Sequence, residues 1–165
     1  MTTAPPTPDF AAILTSIEVF AATAASAEAL ERFVVESIAA RLPYYNWVGF
    51  YMLATDNNQM LDLGPFVGAP TIHTRIPVSE GICGAAVAQG QTIVIDDVHS
   101  DPRYLACSIE TKSEIVVPIR VAGKIVGEID IDSHNHAAFG PADRAFVEQC
   151  AEIVGKFLAR HLRCG

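Results

Sequence analysis

The side chains able to do chemistry in this chain fall into two groups, thiols and crowded carboxylates. Of the four cysteines, two lie at positions that suit reactivity. Cys83, in SEGICGAAV, opens a short helical stretch, where free backbone N–H groups favour a thiolate. Cys107, in LACSIE, falls in a long loop from which a thiol can reach a bound ligand. Together they form a candidate redox pair, and the alternative is a pair of inert buried thiols. Cys150 lies on the apolar stripe of the last helical segment and reads as a small core hydrophobe. Cys164, beside the C-terminus, is read as incidental.

Asp130 and Asp132 alternate with apolar residues in KIVGEIDIDS, so both carboxylates project from one face of a strand. Glu114 opens the preceding strand of the same hairpin. Carboxylates held together repel, and one of them is expected to keep its proton at neutral pH. Such a group suits binding an ammonium and donating a proton. The alternative is a solvated sheet face, on which Glu128 could equally be the exposed member.

Other chemistries are poorly supported. His134 and His136 form an H-x-H and His99 stands in DDVH, but no metal-binding spacing of cysteines or histidines is present, and no metal is expected. A Cys–His hydrolase lacks a recognisable oxyanion motif or third orienting residue. GICGAAVAQG lacks the Lys-Ser/Thr of a phosphate loop. No cofactor is expected.

The elements that must position these groups follow from periodicity. Phe10, Ile13, Leu14, Ile17 and Phe20 have the spacing of an amphipathic helix. Ser26 caps a second helix with Glu28 in its first turn, Leu30, Phe33, Val34, Ile38 and Leu42 on its buried face, and Pro43 at its end. YYNWVGFYML reads as a central strand, MLDLGPF as its return and TIHTRIPV as a third strand. A short helix from Ser79 to Gly90 leads to the strand TIVI. The strands EIVVPIRV and KIVGEIDIDS join at Ala122-Gly123. A last helix starts near Pro141 and buries Phe146, Cys150, Ile153, Val154, Phe157 and Leu158.

This order predicts an α+β fold, an α/β/α sandwich whose central antiparallel sheet of about six strands is flanked by helices. One domain over residues 9–165 is expected, after a disordered leader of residues 1–8. Half of the 165 residues are apolar and 18% are charged, which excludes disorder. A net charge of −8 argues against nucleic acid or an anionic membrane as the main partner. The N-terminus does not read as a secretory signal, and Glu18 and Glu28 break the apolar stretch that follows. Four scattered cysteines do not make a disulfide scaffold, so a reducing, cytoplasmic setting is expected.

The segments NWVGFY, LDLGPF, IPVSEGICGAAV, DDVHSDPRYLACS, SEIVVPI and GEIDIDS resemble those of the free methionine-(R)-sulfoxide reductases, single-domain GAF proteins, from about Leu30 to Leu162. The resemblance implies a GAF-like fold and thiol-dependent reduction of free L-methionine-(R)-sulfoxide. By motif match, Cys107 would be the catalytic cysteine and Cys83 the resolving one, joined in a disulfide that thioredoxin recycles. Glu114, Asp130 and Asp132 would be the pocket carboxylates, and Trp47 would pack on the methyl end of the substrate. Where some members carry a third cysteine this chain has Ile93, which leaves a two-cysteine cycle. A homodimer is compatible with such a domain, although no sequence feature demonstrates it. The competing readings are a GAF domain that binds a small regulatory ligand without turnover, and a thiol redox sensor.

Overall fold

The computed structural model describes residues 7–106 and 108–162. Cys107, Cys164 and most of the expected leader lie outside the described residues.

Helix α1 (Phe10–Ala21) starts where the Asp9 side chain accepts from the backbone N–H of Ala12, and α2 (Ala27–Arg41) starts at Ser26, which accepts from Ala29 N–H in the same way. Each cap satisfies an amide that the first helical turn leaves without a partner. Phe20 stacks on Phe33 at 4.1 Å to hold the two helices together, and Phe10 stacks on Phe146 at 4.6 Å to join α1 to α4 (Pro141–Leu162). Asp143, in the first turn of α4, accepts from the hydroxyls of Tyr44 and Tyr45 and from Gly140 N–H. That clamp fixes the chain just before it enters the central strand.

Six strands form one antiparallel sheet: β1 (Trp47–Leu53), β2 (Met60–Val67), β3 (Arg75–Pro77), β4 (Ile93–Ile95), β5 (Ser113–Val121) and β6 (Lys124–Ser133). Their spatial order is β3-β2-β1-β6-β5-β4. The hairpin β5–β6 closes at Ala122 and Gly123, both with positive φ, the turn geometry that matches strand twist. The third strand is shorter than its alternation predicts. Ahead of Arg75 the chain makes local turns, with Thr71 Oγ1 accepting from His73 N–H and Ile72 O from Thr74 N–H, and these compete with the ladder.

The main core lies between one face of the sheet and α1, α2 and α4. It gathers Val48, Phe50, Ile115, Ile129 and Ile131 from the strands with Leu30, Val34, Ile38, Phe146, Cys150, Val154 and Phe157 from the helices. Cys150 is therefore the core residue its spacing predicts, and burial pushes its thiol well above the ordinary range. Phe33, Ile153 and Leu158 pack only at the margin.

The opposite face carries α3 (Gly81–Gln89) and a smaller core with Tyr51, Leu61, Ile76, Ile82, Ala86 and Val116. Helices cover both faces, as a sandwich requires. Gly84 sets how close α3 can come: a Cβ there would stand 2.9 Å from the carbonyl oxygens of Pro77 and Val78. Among the described residues no helix is long and apolar enough to cross a membrane.

Candidate active site

The three central strands place their chemistry in rows on the α3 face. In register, Trp47 (β1), Asp132 (β6) and Glu114 (β5) form one row. Gly49, Asp130 and Val116 form the next, and Tyr51, Glu128 and Pro118 the third. Alternation along β6 thus brings Asp130 and Asp132 to one face, as predicted, and hairpin pairing brings Glu114 opposite Asp132.

The face is not solvated. Glu114 is 5% exposed, Asp130 3%, Asp132 4% and Glu128 0%. The expectation that Glu128 could be the exposed member is corrected: α3 packs over this end of the sheet and buries it. Burial raises the carboxyls of Glu128, Asp130 and Asp132 above the usual carboxylate range, and the charge of Asp130 raises both Glu128 and Asp132 further. Hydrogen bonds from Glu114 and Cys83 act in the opposite sense on Asp130. Two carboxyls in hydrogen-bond contact, Glu114 and Asp130, need a proton between them.

Cys83 projects from the first turn of α3 into this cluster, and its Sγ donates to Asp130 Oδ2 at 3.4 Å. The sulfur and one oxygen each of Glu114 and Asp130 all lie within 4.8 Å of one another. A helix N-terminus favours a thiolate, but the balance here goes the other way. Burial first, then the charges of Asp130, Glu128 and Glu114, push the Cys83 thiol well up. At neutral pH it is a thiol. Among the described residues one sulfur and two carboxylates lie close enough to touch one metal ion, three groups where a structural zinc site has four. His134 and His136 instead reach Glu110 (3.5 Å) and Asp97 (3.7 Å) at the surface.

Trp47 forms an aromatic wall. Its indole Nε1 donates to Ala69 O at 3.1 Å, and its ring stacks against Phe66 (5.5 Å) and Tyr51 (6.2 Å). The ring lies across Gly49, where any Cβ would overlap it, so the strand must carry glycine at this position. The Tyr51 hydroxyl donates to His73 O at 2.7 Å.

His73, which its place in an alternating run did not mark as functional, ties two loops together. Its Nε2 lies 3.1 Å from Ala106 O, the carbonyl just before Cys107. Cys107 itself lies outside the described residues, but Leu105 and Ser108 on either side of it line the site. Ser108 shares a 90 Å³ cavity with Trp47, Asp132, Asn46 and Thr111. Leu105 shares one of 20 Å³ with Cys83, Glu114, Asp130 and Tyr51. Both are well under the ~300 Å³ at the low end of ligand pockets. A larger groove of 750 Å³ runs between β5 and α4, lined by Arg120, Arg144, Glu148 and Lys156, away from Cys83 and the buried carboxyls.

Residues 20–158 match the family model of the GAF domain. The free methionine-R-sulfoxide reductase of Escherichia coli is 39% identical over 151 residues, covering 92% of this chain and 85% of that protein. This chain belongs to the free methionine-R-sulfoxide reductases. The free methionine-R-sulfoxide reductase of Neisseria meningitidis, solved in complex with its substrate, superposes with a TM-score of 0.87 at 31% identity, over 98% of this chain and 99% of that one. The GAF domain of an Acinetobacter phosphoenolpyruvate-protein phosphotransferase superposes nearly as well, with a TM-score of 0.82 over 97% of this chain and 99% of that one. At 16% identity it shares the fold alone.

Proposed function

We propose that the protein reduces free L-methionine-(R)-sulfoxide to methionine through Cys107 and Cys83. The observation that carries this reading is the cluster of buried carboxyls in contact with the Cys83 thiol beside the Trp47 wall; burial raises Asp130 and Asp132, which favours their protonated form. A sulfoxide sulfur is a poor electrophile until its oxygen is protonated or strongly hydrogen-bonded, and a neutral carboxyl in a dry site supplies that proton.

A free amino acid brings its own ammonium. Placed beside Asp132, that charge lowers the carboxyl's pKa and releases a proton inside the cluster just as the sulfoxide arrives. The methyl end lies against Trp47. The Cys107 sulfur attacks, methionine leaves, and the oxygen remains on Cys107 as a sulfenic acid. Cys83 then displaces it as water to form the disulfide, and an external dithiol such as thioredoxin restores both thiols by exchange. The sum is sulfoxide plus two thiols giving thioether, disulfide and water. A methionine within a peptide has no ammonium to offer the acidic site.

The test is stoichiometric. Reduced protein mixed with substrate and no reductant is expected to form one methionine for every two thiols lost. Cys107→Ser is expected to form none, and Cys83→Ser to form one methionine per chain and then stop. Full activity in Cys107→Ser would remove that residue from the reaction.

A further inference from the structure

Cys83, Glu114 and Asp130 reach one point from three separate elements, α3, β5 and β6, and all three side chains are buried. Asp130 turns its carboxyl into this cluster, its Oδ2 accepting from Cys83 Sγ at 3.4 Å. Its second oxygen, Oδ1, has no hydrogen-bond partner, although the residue is only 3% exposed. An enclosed carboxyl oxygen without a donor is unfavourable, and a cation is the other kind of partner that can satisfy it.

The dimensions fit a tetrahedral ion. With Zn–S at about 2.3 Å and Zn–O at about 2.0–2.2 Å, the sulfur-to-oxygen edge of such a site is about 3.5 Å. The Cys83–Asp130 separation is within a tenth or so of that edge. All three donor atoms lie within 4.8 Å of one another, so Glu114, the longest of the side chains, has only a short way to close. The three also line the 20 Å³ cavity that Leu105 borders, and about 10–15 Å³ is enough for one water. Three protein donors and a water make a zinc site with an open position, as distinct from a structural one. A sulfur among the donors selects a thiophilic ion over Mg²⁺ or Ca²⁺.

We propose that the reduced protein binds one thiophilic divalent cation, of which Zn²⁺ is the commonest, through Cys83 Sγ and the carboxylates of Glu114 and Asp130, with a water in the fourth place. The ion displaces the thiol proton and the proton that two carboxyls in contact must share. Two positive charges leave as two arrive, so the net charge of the buried site is unchanged and no sulfur is oxidised. The bound ion engages the thiol and two of the acids at once, and turnover by the route above stops until a chelator removes it. That block rests on the reductase reading; the binding does not.

The experiment uses the full reduced chain carrying Cys107→Ser and Cys164→Ser, so that neither of those thiols can hold the ion, and Co²⁺ as the spectroscopic probe. One Co²⁺ per chain is expected, with a thiolate-to-cobalt charge-transfer band that surface histidines cannot produce. Zn²⁺ should displace it and Mg²⁺ should not. Cys83→Ser is expected to abolish the band and to weaken Zn²⁺ binding, read against a chromophoric chelator, by at least about 100-fold. Asp130→Asn and Glu114→Gln are expected to keep the band and to weaken binding by at least about tenfold. Zn²⁺ should also raise the thermal midpoint of the parent and not that of Cys83→Ser. No band at one equivalent of Co²⁺, a band that survives Cys83→Ser, or Zn²⁺ affinity unchanged in both carboxyl variants overturns the inference. Binding is read without substrate, so a wild-type protein that binds Zn²⁺ and reduces no sulfoxide would count against the reductase reading alone.

Discussion

The Cys83 thiol donates to Asp130 across 3.4 Å, joining the first turn of α3 to the middle of β6. That contact places a thiol against the acidic strand face that α3 covers. Burial raises both groups; the charge of Asp130 raises the thiol further, while the hydrogen bond from the thiol lowers Asp130.

The first prediction separates the two aspartates. Asp130→Asn removes the acid that the Cys83 thiol contacts and is expected to lower kcat by roughly 10²- to 10⁴-fold, the usual size of a general-acid contribution. Asp132→Asn removes the proposed partner of the substrate ammonium and is expected to raise KM by roughly 10- to 100-fold, from ~1.5–3 kcal/mol per charged hydrogen bond. Steady-state kinetics with the free amino acid would read both. Equal effects on kcat and KM in the two variants would contradict the division.

The second prediction concerns Gly49, because a Cβ there would overlap the Trp47 ring. Gly49→Ala is expected to displace the indole and to cost about 1–3 kcal/mol as an overpacked core position. Denaturant unfolding should show the loss, tryptophan fluorescence should shift, and KM should rise through the displaced wall. Unchanged fluorescence and stability would mean that the ring does not depend on Gly49.

The third prediction is a pH effect remote from the site. Glu31 on α2 is buried, and burial, aided by the charge of Glu28, raises its pKa to about 7. A folded value above the unfolded one means that its contribution is fully present below about pH 4.5 and is lost as pH rises through about 7. The loss amounts to at most about 3 kcal/mol. Glu31→Gln is therefore expected to raise Tm at pH 8.5 by roughly 5–10 °C and to leave it unchanged at pH 4.5. A gain of the same size at both values would point to packing and not to titration.

Much of this arrangement is legible in the sequence, because strand alternation is strict. Period 2 places Glu128, Asp130 and Asp132 on one face whatever lies above them. The pattern cannot say whether that face is wet or covered, which is why Glu128 could be read as exposed. Coverage is decided by α3, a helix whose close approach rests on Gly84 and whose side chains show no strongly one-sided pattern. Cys83 shows the same limit. Its helix-start position is visible in the sequence, but the burial that outweighs the helix terminus, and the carboxyls that add to it, come from packing against strands far along the chain. His73 sits in a run that alternates like a strand, and only the turns before Arg75 carry its ring to the carbonyl of Ala106. The hydrophobic periods, by contrast, locate α1, α2 and α4 to within a residue or two of their starts, since each is tied to a cap or a proline.

The most direct measurement is turnover of free L-methionine-(R)-sulfoxide with thioredoxin as reductant, run beside the S epimer and a peptide-bound sulfoxide. The account predicts reduction of the free R form alone. Turnover of the peptide-bound form at a comparable rate, or of none of the three by folded and reduced protein, would contradict it.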